Sequence, residues 1–171
     1  MNEYFIIDKI TNSIERVSDG TILPTIVAPF SKYDLPNVTK KNGWKFNWKQ
    51  EFKHENRHLF KLLLEEDSII QGLISIENMD GFIEMRLIET GPHNYGKGKQ
   101  YYGVVGNLVA YACKCSFESG FEGYVSFKAK TKLVDHYIET LGAIPITKDR
   151  LKITSESARK LVNSYYKDFD I

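Results

Sequence analysis

The stretch Gly91–Asn107, GPHNYGKGKQYYGVVGN, decides how the rest of the chain is read. It places five glycines, one proline, three tyrosines and two lysines between a strand-like run and a strongly apolar helix. Where a glycine turn feeds a helix, the first N–H groups lack intrahelical partners and the helix dipole adds positive potential. Such a junction can hold an anion. It is not a dinucleotide fingerprint, because Gly96 and Gly98 give G-x-G but Tyr101 stands where the third glycine belongs. Nor is it a P-loop, since no Gly-Lys-Ser/Thr follows at the required spacing. A plain hairpin or surface loop is the alternative on this segment alone.

Downstream, NLVAYACKCSFESG is apolar almost all round, with Lys114 and Glu118 its only charges, so it predicts a helix buried between layers. Cys113 and Cys115 sit two apart in that helix and point to different faces. They predict buried thiols, not a disulfide or a metal pair. GYVSFKAK then reads as a strand. TKLVDHYIETLG reads as a helix with Leu133, Val134, Tyr137, Ile138 and Leu141 on one face and Gly142 as its C-cap. AIPI and RLKIT read as short strands. Ala158, Leu161, Val162, Tyr165 and Phe169 line a last amphipathic helix.

Upstream, HLFKLLLEE, IIQGLISIEN and FIEMRLIET are three strands, joined by turns at Asp67-Ser68 and Asp80-Gly81. Connections this short require antiparallel neighbours. EYFIIDKI reads as a strand, SDGTILP and KYDLPN as loops, and GWKFNW as a strand with Trp44, Phe46 and Trp48 on one face. Residues 11–57 show no persuasive helical pattern. The order of elements predicts an α/β (α+β) sheet covered by helices.

At 171 residues the chain suits one domain, 1–171, with a single substantial core. Its 23 basic residues against 22 acidic ones leave no global field to recruit nucleic acid or acidic membrane, so any anion site must be local. The N-terminus lacks the basic, apolar pattern of a signal peptide and no run is long enough to cross a bilayer, which predicts a cytoplasmic protein. HENRH at 54–58 fits H-E-x-x-H, but that zinc chemistry needs a helix and a third ligand. Here His58 opens a strand, so two surface histidines and no metal are expected. The segment Lys40–Lys61 interleaves seven cationic residues with aromatics, as single-strand nucleic-acid sites do. The alternation favours inward aromatics and solvated lysines instead, so nucleic acid is not the expected partner.

From Ile69 to Ile146 the order of elements, a strand ending LIET, a glycine turn, a buried helix, a strand, and a helix ending HYIETLGA, resembles the GNAT superfamily of acyl-CoA-dependent N-acetyltransferases. The patterns GNLVAYACKCSF, GFEGYVSFKAKT and HYIETLGA also resemble small bacterial GNAT-like proteins. The resemblance implies a mixed, mostly antiparallel twisted sheet with helices on both faces, residues 69–146 being the acyl-CoA-binding core and 1–68 divergent. It implies acetyl-CoA as acyl donor, a primary amine on a small molecule or protein as acceptor, and leaves a homodimer open.

The family's pyrophosphate turn has the form Q/R-x-x-G-x-G/A, and three registers fit here. One is proline-anchored, from Tyr95 to Gln100. The second is His93–Gly98, and the third Gln100–Val105. Seventeen residues separate Gly103 from Gly120, the family's usual distance from the first turn glycine to the glycine ending the helix, which favours the third. Glycine costs about 1 kcal/mol inside a helix, so Gly103 and Gly106 belong at its start. The resemblance then implies a cradle of Gln100, Tyr102, Gly103, Val104, Val105, Gly106 and Asn107. Lys97 and Lys99 lie on an extended approach, and main chain at Leu87, Ile88 and Glu89 faces the cofactor arm. Glu89 is the expected general base. Glu84 is a second candidate, placed by alternation on the opposite face. For the general acid, counting back from Leu141 reaches Ile138; a one-residue insertion brings Tyr137 into the family's tyrosine position, and His136 is a further candidate.

Overall fold

The computed structural model describes residues 5–171. In chain order its strands are β1 (Ile14–Arg16), β2 (Ile22–Leu23), β3 (Thr25–Pro29), β4 (Arg57–Leu64), β5 (Gly72–Asn78), β6 (Ile83–Thr90), β7 (Tyr101–Tyr102), β8 (Val125–Lys128), β9 (Ile144–Thr147) and β10 (Arg150–Ile153). The α-helices are α1 (Trp48–Phe52), α2 (Val104–Glu118), α3 (Val134–Leu141) and α4 (Ser155–Tyr165). Seven strands form one sheet in the order β3-β4-β5-β6-β8-β10-β9, and β2-β1-β7 form a small second sheet. Among the described residues of the large sheet, only β6 and β8 run parallel. A parallel neighbour requires a crossover, and α2 supplies it.

The sheet separates two apolar clusters. On one face Ile74, Ile76, Met85 and Ile88 pack under α2, α3 and α4, with Leu108, Tyr137 and Val162 fully buried. α2 lies between the sheet and α4, which is why its sequence is apolar all round. The other face is covered over β4–β6 by a shorter layer, where Trp44 and Trp48 pack on Leu59, Leu73 and Leu87. Among the described residues no helix is long and apolar enough to cross a membrane.

Several sequence expectations change. GWKFNW is not a strand: Gly43 turns left-handed (φ 98°), Asn47 caps α1, and α1 begins at Trp48. Its three aromatics still face inward, because a tight loop followed by a helical turn also delivers alternate residues to one side. KYDLPN is a 3-10 helix, Lys32–Asn37, capped by Ser31 and Asp34, which hydrogen-bond each other's backbone N–H reciprocally. In the strand expected at EYFIIDKI, Glu3 and Tyr4 lie outside the described residues, and Phe5–Ile10 has no ladder partner among those described. Phe5 and Ile7 are nonetheless buried while Ile6 is exposed, so the alternation is real without the pairing. Ile138, expected on the buried face of α3, is exposed, and Phe169 lies past the end of α4.

β6 carries the irregularity that matters. Glu84 pairs with Glu77 and Met85 with Ile76, but Leu87 pairs with Ser75, so Arg86 is a bulged extra residue. The bulge resets the alternation. Glu77, Ser75 and Leu73 share one face of β5, so Glu84, Leu87 and Glu89 share the corresponding face of β6. Glu84 is therefore on the same side as Glu89, contrary to strict alternation.

Gly72, opposite Thr90 at the end of β5, is where the first turn of α2 touches the sheet. A Cβ there would sit 2.6 Å from Val104 Cγ1 and 3.1 Å from the Glu89 carbonyl oxygen. Valine is stiff at χ1 and cannot swing away cheaply. Gly72→Ala should therefore cost about 1–3 kcal/mol of unfolding free energy, read as a lower urea midpoint at unchanged slope.

Candidate functional site

Along its β5 side, β6 is paired over its length. Along its β8 side it pairs only through Ile83, Glu84 and Met85, opposite Val125, Ser126 and Phe127. β8 ends at Lys128, one residue past the last pair, so from Arg86 to Thr90 this edge of β6 has no strand partner among the described residues, and a wedge opens beside the start of α2. A cavity of about 430 Å³ lies at this opening, lined by Ile88, Glu89, Lys45, Tyr95, Lys99 and Val105 among others.

Glu89 is almost fully buried. Its Oε2 accepts the Lys45 N–H at 2.7 Å; its Oε1 accepts the Phe46 N–H at 3.2 Å and the Trp48 indole N–H at 2.8 Å. The carboxylate thus fastens the 44–48 loop to β6 and closes one wall of the cavity. Across the opening Lys45 Nζ lies 4.3 Å from the centre of the Tyr95 ring, at cation–π distance.

The glycine stretch does not run extended into α2. It folds into two 3-10 turns, Pro92–Asn94 and Gly96–Gly98, then pairs through β7 with β1. Buried Asn94 organises it: its amide N–H donates to Gln71 Oε1, and its Oδ1 accepts the Tyr101 N–H. Gly103, left-handed at φ 89°, is the N-cap of α2, and Gly120 follows its last turn in the left-handed region, so the two glycines bracket the helix. Lys97 and Gln100 are exposed on the approach. Tyr102 is half-buried between the ammonium groups of Lys9 and Lys99.

Val104, Val105, Gly106 and Asn107 are buried in the first turn. Above them, a Cβ on Gly103 would strike Thr11 and Ser13, and one on Gly106 would strike the Tyr165 hydroxyl. Thr11 is held there by its own N–H, which donates to Tyr165 Oη at 2.9 Å. The turn amide that meets a polar group here is that of Gly103, which donates to Asp8 Oδ1 at 3.1 Å, while Lys99 Nζ approaches Asp8 Oδ2 at 2.6 Å.

Behind the N-terminal segment, α3 presents His136 and Tyr137 with ring centroids 5.2 Å apart. Tyr137 is fully buried, edge-on to Phe127 with centroids 5.2 Å apart, and its hydroxyl donates to the Phe5 carbonyl. His136 Nε2 accepts the Ile7 N–H at 3.0 Å. Both sequence-derived acid candidates therefore meet the N-terminal segment. Asp8 was not visible as a site residue, because its contact with Gly103 joins positions 95 apart; Asn94 and Tyr95 entered only through the turn registers that spacing disfavours.

Glu84 belongs to a different surface. It receives both hydrogen bonds of a bidentate pair from Arg150 Nη1, at 2.8 Å each. A second cavity, of about 410 Å³, opens there among Glu51, Arg57, Arg86 and Lys128. Its arginines are largely neutralised: Arg57 pairs with Glu51 and Glu77, and Arg86 with Glu77. In HENRH, His58 lies on β4 and His54 outside it, so the two are not one helical turn apart. Burial pushes the Cys115 thiol up to about 11 and Cys113 higher still; Cys113 is a buried core thiol as expected, whereas Cys115 is only half-buried against the core.

Solved structures share this architecture. The spermidine/spermine N-acetyltransferase SpeG from Vibrio cholerae, solved with manganese ions, matches with a TM-score of 0.57 at 12% identity, over 80% of this chain and 96% of its own. A point mutant of the AtaT toxin, bound to the C-terminus of the antitoxin AtaR, matches with a TM-score of 0.53 at 12% identity, over 85% and 99%. FeeM, an N-acyl amino acid synthase from uncultured soil microbes, matches with a TM-score of 0.53 at 12% identity, over 81% and 94%. No family model and no curated protein matches the chain. The chain has the GNAT fold, a mixed and mostly antiparallel sheet with helices on both faces.

The Glu89 contacts make a direct prediction. In Glu89→Gln one acceptor oxygen becomes an NH2 that faces N–H donors and leaves at least one of them unpaired in the interior. Unfolding free energy should fall by about 3 kcal/mol, the scale for losing hydrogen bonds to a charged group and stranding a buried donor. Tryptophan emission should shift red as Trp48 loosens; unchanged stability and emission would show that the carboxylate does not hold this wall.

Proposed function

We propose that the chain is an acyl-CoA-dependent N-acetyltransferase that moves an acetyl group from acetyl-CoA to a primary amine, on a small molecule or a protein. The observation that most supports this is the wedge between parallel β6 and β8, which opens at a bulge beside the N-terminus of a 15-residue helix. The wedge exposes one edge of β6, at Leu87, Ile88 and Glu89, to whatever lies between the strands.

The residues present suit such a cofactor, because the Gly103 N–H and Lys99 already hold an anionic group, the Asp8 carboxylate, at the helix start. Those two, with Lys97 and Gln100 further out, would hold the pyrophosphate. Tyr102 would flank it, and Val104, Val105, Gly106 and Asn107 would contribute the first turn and its dipole. Bound acetyl-CoA supplies the thioester carbonyl that an amine attacks. Glu89 lines the cavity, and beside the lone pair of Oε2 that accepts the Lys45 N–H a second can take a proton from the amine. On α3 the two acid candidates differ. His136 Nε2 acts as an acceptor, whereas the Tyr137 hydroxyl already donates a hydrogen bond, so Tyr137 is the better proton source.

A second reading draws on one specific observation: Phe5–Asp8 stands in the wedge, as it would in a non-catalytic GNAT-fold module that recognises a partner. On the Lys40–Lys61 face Lys61 pairs with Asp34 and Arg57 with two glutamates, so exposed Lys40, Lys41, Lys49 and Lys53 are the cations that such a partner would meet.

Thermal unfolding with CoA separates the readings. A native-state ligand at about 100 times its Kd adds about 2.7 kcal/mol, which should raise the midpoint by about 5 °C or more. Tyr137→Phe should keep this shift and lower kcat about 100-fold for whichever amine is acetylated. An unmoved midpoint at millimolar CoA, with no acetyl transfer to a panel of amines, would leave the module reading standing.

A further inference from the structure

The contacts of Phe5–Asp8 go beyond ordinary packing of a chain terminus, because each polar one uses a group already assigned to the proposed site. The Phe5 carbonyl takes the Tyr137 hydroxyl proton, and the Ile7 N–H takes the lone pair of His136 Nε2. The Asp8 carboxylate takes the Gly103 N–H and the Lys99 ammonium. At the first of these ends the Phe5 ring packs, tilted, against Tyr137 and Phe127, with centroids 4.7 and 5.4 Å away. In order, a carbonyl, an amide and an anion meet the candidate acid, its neighbour and the candidate anion cradle. That is a peptide imitation of an amide-bearing arm ending in a negative group.

We propose that Phe5–Asp8 is an autoinhibitory strap, which occupies the wedge in the resting protein and must withdraw before acyl-CoA can bind. The proposal rests on the acyl-CoA reading above. The geometry provides a hinge. From Thr11 onward the segment is fixed, by Tyr165 and by the pairing of β1 with β7. Lys9 and Ile10, between that anchor and Asp8, are exposed. Phe5–Asp8 has no ladder partner among the described residues, so its release breaks no strand pairing there. Withdrawal would also change the charge at the cavity. Asp8 and Glu89 now face Lys45 and Lys99; without Asp8, the two lysines outnumber the one carboxylate, and the opening turns toward anions.

The test uses the full chain, with CoA as probe, and follows both binding and the strap. Hydrogen exchange of residues 5–10 should quicken at least tenfold when CoA binds the unaltered protein, while β4–β6 stay protected. Asp8→Ala, whose side chain is at the surface end of the strap, should bind CoA about tenfold more tightly by calorimetry. Asp8→Asn, which keeps an oxygen for Gly103 but loses the charge on Lys99, should fall between them. CoA binding that leaves residues 5–10 as protected as before would overturn the strap and leave the acyl-CoA reading intact. So would a folded Asp8→Ala protein with unchanged or weaker affinity. If neither chain binds CoA although residues 5–10 of Asp8→Ala exchange freely, the acyl-CoA reading fails and takes the strap with it.

Discussion

Strand β6 has two neighbours with conflicting demands, and most of the structure follows from how it meets them. It pairs with β5 through Gly72–Asn78 but with β8 through only three residues. Past Met85 its second edge would face a gap, and backbone polar groups left unpaired away from water cost free energy comparable to a lost hydrogen bond. The bulge at Arg86 turns the strand as the gap begins, so the loss of pairing begins at a local insertion and is not spread over a weakened ladder. α2 closes one side of the gap and the 44–48 loop another. Phe5–Asp8 lines what is left, a cavity of about 430 Å³. The candidate site thus lies where the interior of the sheet, among the described residues, cannot satisfy itself.

Two glutamates flank the bulge on one face, and their environments differ in kind. Glu84 is met by the Arg150 guanidinium, so its charge is cancelled by a full opposite charge. Glu89 is met by three neutral N–H groups, which stabilise the carboxylate without cancelling it. The uncancelled charge stands at the open end of the wedge and the cancelled one at its closed end. Fastening the loop with neutral donors leaves Lys45, whose backbone does the fastening, free to lay its ammonium over Tyr95.

How far the sequence reveals this depends on the range of each interaction. The hairpins joining β4, β5 and β6, the Gly142 cap and the start of α2 at Gly103 are decided within a few residues, and all were legible. The bulge was not, because it is visible only once Ser75 and Leu87 are known to face each other; strict alternation therefore put Glu84 on the wrong face. The aromatic alternation of Trp44, Phe46 and Trp48 announced inward side chains correctly and a strand incorrectly. The backbone there answers to Glu89, more than forty residues away. The unpaired segment Phe5–Asp8 has an ordinary strand pattern, and nothing local reveals that its partner is a cleft.

That segment also explains why the buried first turn of α2 is compatible with an anion site. Thr11 and Ser13 pack against Gly103 and Tyr165 against Gly106, and Thr11 is anchored by its hydrogen bond to Tyr165 beside the β1–β7 pairing. That cover is part of the fold. The Gly103 N–H and Lys99, by contrast, are covered by Asp8, through one hydrogen bond to a backbone amide and one ion pair between side chains each about a fifth exposed. Pairs that exposed contribute little, because water competes for both partners. The turn's packing is thus firm, whereas the two donor groups themselves, the Gly103 N–H and the Lys99 ammonium, are met by the weaker contacts of Asp8. The segment is held at Thr11 and again at buried Phe5 and Ile7, and its weakest contacts are those of Asp8 between them, where the two donors lie.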